Sequence, residues 1–168
     1  MTDHVYKIIE ITGTSTQSME DAVNKAVVKA DAYGLGLDPV ARTLANAGCR
    51  RFFVALAGEG VALRTVLPKA EIYVLNGLAP GTEEIYRAER LTPVLNTTAD
   101  VAAWNAHALT VATAGGPGLA AILHVDTGMS RLGLTGPEFE QLAAEPDRLA
   151  GLDIVYVMSH LACADEPD

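Results

Sequence analysis

The stretch "AAILHVDTG" (120–128) opens on an unbroken apolar run and closes on a histidine, an aspartate and a turn. A strand with one wet face alternates apolar and polar residues. An unbroken apolar run is the mark of a strand covered on both faces, as in the parallel sheets of α/β proteins. The same signature recurs in "AVVKADAY" (26–33), "RFFVALA" (51–57), "EIYVLNG" (71–77), "LTPVLNT" (91–97) and "LDIVYVMSHL" (152–161). Helical patterns lie between these runs: "DPVARTLANAG", "GEGVALRTVLP", "TEEIYRAER", "TADVAAWNAHALTVA" and "GPEFEQLAAEPDRLA". Asp38 with Pro39 marks a helix start and Gly48 a stop; Asp100 falls in a first helical turn, and Gly136 with Pro137 opens the last helix.

Strands recurring every roughly 20–30 residues with helices between them are βα units. The predicted fold is therefore α/β, a partial TIM-type (β/α) barrel of about six parallel βα units. A closed eight-fold barrel takes about 250 residues, and the 168 residues here supply about six units. Ahead of them, "HVYKIIEIT" (4–12) alternates and predicts a half-exposed strand. "SMEDAVNKA" (18–26) predicts a helix with Ser18 as N-cap and Asp21 three residues on.

Hydrophobic residues at 49% against charged residues at 20% give a globular rather than a disordered chain. A net charge of −9 argues against nucleic acid and anionic membrane as partners. No apolar run approaches the ~18–20 residues of a membrane span, and no signal-peptide pattern opens the sequence. Cys49 and Cys163 stand far apart in no metal-type spacing, which predicts reduced thiols, no metal site and a cytoplasmic protein.

Ligands of βα folds bind beyond the carboxyl ends of the strands. The polar residues there are Lys29 and Tyr33, Asn76, Asn96, Asp126 and Arg131, and Ser159 with His160. Asn76 and Asn96 each close a strand and read as turn residues. Lys29 admits two readings from the residues alone: a snorkelling strand-end lysine, or a desolvated amine able to form a Schiff base. Glycines in "YGLG" after it let a backbone approach an anion closely. "DTG" at 126–128 is also how aspartic proteases present a carboxylate, but that chemistry needs a second carboxylate sharing the proton. His160 read alone is a core or a site histidine, and His107 a solvated helix residue.

Taken together, "AVVKADAYGLG", "HVDTGMSRLGL" and "MSHLACADEPD" resemble alanine racemase, in that family's order, with "RFFVALAGEGVALR" and "IYVLNGL" between them. The resemblance covers about residues 26–168. It implies a pyridoxal 5'-phosphate-dependent isomerase that interconverts L- and D-alanine, a homodimer with an N-terminal barrel and a C-terminal β domain. On it, Lys29 forms the Schiff base and acts as one acid/base group, and Tyr33 binds the phosphate. Arg131 lies near the cofactor's phenolic oxygen and the substrate carboxylate, and His160 supports the cofactor face. Family members often carry a lysine where this chain has His124. The opposite-face base and the β domain belong to the family's later residues, so turnover by this chain alone is not expected to be efficient.

The opening "MTDHVYKIIEITGTSTQSMEDAVNKA" resembles instead the first strand and helix of dodecin, a flavin-binding dodecamer. Two pieces are thus expected, residues 1–26 and residues 27–168, of different origin. A cofactor-binding module without turnover, and a flavin-binding or assembly protein, are the alternatives. An open set of six units also predicts self-association through exposed strand edges.

Overall fold

The computed structural model describes the backbone of residues 8–10 and 25–27, Ala32, and residues 34–160. In chain order the elements are β1 (Ile8–Glu10), β2 (Lys25–Val27), α1 (Leu37–Asn46), β3 (Arg51–Val54) and α2 (Ala57–Val66). Then follow β4 (Glu71–Val74), α3 (Glu83–Ala88), β5 (Leu91–Leu95), α4 (Thr98–Thr113), β6 (Leu119–Val125) and α5 (Gly136–Ala144). A 3-10 turn, Pro146–Leu149, leads into β7 (Leu152–Ser159). Every strand pairing described is parallel, so the α/β class and the run of βα units are those the apolar pattern predicts.

The chain divides into two compact units. In the unit of residues 13–94, β2, β3, β4 and β5 pair side by side, with Ala26 opposite Phe52, Phe52 opposite Ile72 and Ile72 opposite Leu91. Three consecutive residues are buried in β3 and three in β4. Consecutive burial requires cover on both faces, because neighbouring side chains point to opposite sides. Phe53 stacks on its register partner Tyr73 with ring centroids 4.9 Å apart. Helix α2 lies close against the sheet at Gly60, where a Cβ would come within 3.0 Å of a Leu91 methyl. Helix α1 ends in a Schellman motif: the Cys49 N–H donates to Leu44 O and the Gly48 N–H to Ala45 O, with Gly48 at φ +104°.

The second unit contains residues 1–12 and 95–168. There β7 lies between β1 and β6, with Val157 opposite Ile8 on one side and Leu123 on the other. One extra residue in β7, Val155, enters the β6 register between Ala121 and Ile122 as a bulge. Helix α4 docks through Trp104, whose Nε1–H donates to Ala120 O at 3.1 Å, and through Asn105, which accepts the Gly151 N–H at 2.8 Å.

Three expectations change. The helix read over 18–26 gives way at its end to β2, because the β-branched run that follows draws Lys25 and Ala26 into pairing with Arg51 and Phe52; its earlier part lies outside the described residues. The helical pattern over 136–150 breaks at Pro146, which has no N–H to continue α5. The run over 152–161 reads as doubly covered, yet Met158 alone is buried in β7. Ala26 and Val27, the expected junction between two pieces, both lie in β2. No helix among the described residues is long and apolar enough to cross a membrane.

At the amino ends of β4 and β5 a buried arginine ties the backbone together. Arg64 donates to four carbonyl oxygens: Ala70 at 2.7 Å, Arg90 at 2.7 Å, Glu89 at 2.8 Å and Pro68 at 3.3 Å. A guanidinium alone has the donors and planar spread for this. Arg64→Met fills the space but removes the donor from the Ala70, Glu89 and Arg90 oxygens, while Pro68 O keeps the Arg90 guanidinium at 2.9 Å. We therefore expect a loss of about 3 kcal/mol, read as a lower urea midpoint at unchanged m.

Candidate active site

The site is built from the carboxyl ends of strands in the unit that includes residues 95–160. After β5 the chain turns at once into α4. Asp100 accepts the N–H groups of Asn96 and Thr97 at 3.0 and 3.1 Å, and Thr97 Oγ1 accepts the Asp100 N–H at 3.0 Å. This capping box satisfies donors that a helix start otherwise leaves open. With its backbone so held, Asn96 turns its side chain inward, where it is 4% exposed. Its Oδ1 accepts the Nδ1–H of His124 at 2.7 Å. The sequence reading of Asn96 as a turn residue is therefore incomplete, since the side chain serves a neighbouring strand. Asn76 is an exposed turn residue, as read.

His124 is 6% exposed, one residue before the carboxyl end of apolar β6. The bond to Asn96 fixes its proton on Nδ1, which leaves Nε2 a bare acceptor, buried and without a hydrogen-bond partner among the described residues. Burial pushes its pKa below the ordinary imidazole value, helped by the neighbouring His160 and Arg131 and opposed by Asp126. At neutral pH it is an uncharged ring.

The loop after β6 stands on His124 itself. The Leu134 N–H donates to His124 O at 2.7 Å and the Asp126 N–H to Leu134 O at 2.9 Å, so the chain leaves and rejoins β6 at one point. Gly133 sits at φ +113°, where a Cβ would lie 2.7 Å from the Asp126 nitrogen. Only glycine fits that approach. The Asp126 carboxylate accepts the N–H groups of Gly128 and Ser130 at 2.9 and 3.0 Å, which holds its pKa below the usual range. It is bound to its own loop, so the protease-like reading of "DTG" has no free carboxylate to use. Thr127 and Ser159 join through their hydroxyls, linking the loop to the end of β7.

On this loop Arg131 is exposed and makes no hydrogen bond or ion pair among the described residues. His160 follows β7 directly and is half-buried. The structure thus assembles Arg131 and His160 in the same unit as His124 and Asn96. Lys29 and Tyr33 lie outside the described residues. Asn96 and His124 went unchosen as site residues; the legible signal was a histidine interrupting an apolar strand.

A family model described as alanine racemase, N-terminal domain, matches residues 15–168. The chain belongs to the alanine racemase N-terminal domain family. A catabolic alanine racemase of Agrobacterium fabrum is 56% identical over 144 residues, which is 85% of this chain and 36% of the relative. A crystal structure of alanine racemase from Bartonella henselae with covalently bound pyridoxal phosphate superposes with a TM-score of 0.76 at 39% identity, over 83% of this chain and 40% of that one. A histidine racemase from Leuconostoc mesenteroides gives 0.68 at 30% identity, over 86% and 38%. The chain spans about a third of the length of the curated relatives it matches. The family match begins at residue 15, ahead of Ala26 and Val27, and nothing in these likenesses bears out the dodecin-like character of the head.

A neutral buried histidine has a defined effect on stability. The unfolded chain takes up a proton near pH 6.5 while folded His124 resists it, so stability is full above that pH. It then falls with acidification until the folded ring itself titrates. His124→Gln is expected to remove part of the slope of unfolding free energy between about pH 6.5 and 5. Equal slopes in urea titrations of both proteins would exclude a buried neutral ring.

Proposed function

We propose that this chain is the cofactor-bearing barrel portion of a pyridoxal-phosphate-dependent amino-acid racemase, cytoplasmic and self-associating, with alanine as substrate. The observation that carries the reading is an exposed arginine, unpaired among the described residues, on a loop that bonds back to the backbone of a buried histidine, in a family member. Those groups fit a polar, anionic, planar cofactor. Arg131 offers a permanent planar cation to an oxygen anion, and the buried Nε2 of His124, without a partner among the described residues, supports a polar neighbour at these strand ends. When bound, pyridoxal phosphate supplies an electron sink for negative charge at the substrate α-carbon.

Each residue then has a task. Lys29 would hold the cofactor through its Nζ, and the same amine would hold or take the α-proton on one face. Tyr33 donates its hydroxyl to the phosphate. Arg131 orients the phenolic oxygen and the substrate carboxylate, and His160 lies against the ring face. His124, being uncharged, leaves the Arg131 charge undiminished and does not repel it. Racemisation needs a second base on the opposite face. We place it, with a β domain and the dimer contact, in the part of the relatives beyond the matched third.

The likeness to a histidine racemase favours a second reading of the substrate, because a similar barrel portion occurs with another amino acid. The dodecin-like head, residues 1–26, is a separate reading and would reveal itself by quenching flavin fluorescence.

Titration of the protein with pyridoxal phosphate should raise the absorbance band of the lysine-bound cofactor. The band should vanish in Lys29→Ala, and Arg131→Met should weaken cofactor affinity by about tenfold, the worth of one charge-assisted hydrogen bond. No band in the unaltered chain would overturn the reading. Solvent deuterium exchange at the α-carbon of alanine against histidine then distinguishes the substrates.

A further inference from the structure

We infer that Asp126 is a positioning residue: its carboxylate, with the Thr127–Ser159 hydroxyl pair, sets the backbone that presents Arg131, so that an anionic ligand meets a cation already in place. The benefit to a ligand rests on the proposed function, but the clamp on the loop does not.

The loop between Asp126 and Leu134 is closed at its feet. The Leu134 N–H donates to His124 O at 2.7 Å, and Leu134 O accepts the Asp126 N–H at 2.9 Å. Closed feet fix where a loop starts and ends but not its path between them. Two further ties fix the path. Asp126 Oδ1 accepts the N–H of Gly128 at 2.9 Å and that of Ser130 at 3.0 Å. Thr127 bonds Ser159 through the two hydroxyls, and Ser159 lies opposite Val125 in the register and directly before His160. The loop is thereby tied to the acid at its own entrance and to the end of β7.

Ser130 shows what the carboxylate does to the backbone. Its φ is +52°, a left-handed conformation that residues with a Cβ rarely adopt. The bond from its N–H ends on a charged acceptor, which is stronger than a neutral one and offsets that strain. Arg131 is the next residue, so the backbone angles of Ser130 set the direction from which the chain presents it. The same bonds keep the acid from neutralising the arginine. The Gly128 and Ser130 N–H groups are the main cause that holds the Asp126 pKa down, and no ion pair joins Asp126 to Arg131 among the described residues. With its oxygen given to amide donors, Asp126 orders the loop and leaves the guanidinium to an anion from outside. A cation so preset raises affinity, because the loop need not be ordered at the moment of binding.

The test begins without cofactor, on the full chain labelled with 15N. Backbone order parameters from Gly128 to Leu132 should match those of β6 in the unaltered protein and fall in Asp126→Ala. Asp126→Asn keeps an oxygen acceptor while losing the charge, and should retain most of the order. Ser130→Val keeps the carboxylate but disfavours positive φ, and should loosen the loop as Asp126→Ala does. Amide spectra outside the loop establish that each variant is folded. Pyridoxal phosphate is then added. Asp126→Ala should weaken its affinity about fivefold, the loss expected when the loop holds Arg131 in place only about a fifth of the time. Asp126→Asn should recover most of that loss. In an Arg131→Met background Asp126→Ala should cost nothing further, because it acts through the arginine. Equal losses in both backgrounds would make Asp126 a merely structural residue and overturn the inference, as would unchanged order parameters in Asp126→Ala. If the unaltered chain binds no pyridoxal phosphate, the proposed function fails, and the order parameters alone decide whether Asp126 clamps the loop.

Discussion

A strand covered on both faces has no room for an unpaired polar group, and the arrangement of this protein follows from that constraint. Three successive residues of β3, and three of β4, are buried, so the only places open to polar chemistry along those strands are their ends. At the amino ends the need is structural. Arg64, itself buried, gathers four carbonyls from the turns that lead into β4 and β5. At the carboxyl ends the same constraint leaves room for groups that act on a ligand.

What keeps those carboxyl ends short and rigid is a repeated device. A carboxylate in the first turn of the following helix reaches back to the N–H groups at the helix entrance. Glu59 does so to Ala55 and Leu56 at 2.7 and 3.0 Å, Asp100 to Asn96 and Thr97, and Glu138 to Thr135 at 2.8 Å. Each satisfies orphan donors and places a negative charge at the positive end of the helix. The consequence for the site is direct. With its backbone clamped, Asn96 is free to turn its side chain under the neighbouring strand rather than close its own turn.

The electrostatics around His124 follow from burial and not from charge pairing. Arg131, exposed and without a hydrogen bond or ion pair among the described residues, is carried on a loop whose Leu134 returns to bond His124 O and the Asp126 N–H. A cation that has no partner among the described residues is available to an anionic one from outside. This is how a βα scaffold can present charge without the cost of burying it. Asp126, the most conspicuous acid of the motif, stays out of this chemistry because its oxygen is engaged in shaping the loop.

The sequence by itself determined the strand runs, their parallel pairing and the family, because apolar periodicity and contiguous motifs are local properties of the chain. It also named Arg131 and His160, which sit in recognisable stretches at strand ends. It did not determine that Asn96 and His124, 28 positions apart, share a hydrogen bond, nor that Asp126 is consumed by its own loop. Those facts depend on which strand ends come together and at what register, and no local pattern encodes distance across a sheet. Tertiary structure alone decided the tautomer of His124, since a ring nitrogen takes its proton from the partner the fold brings to it.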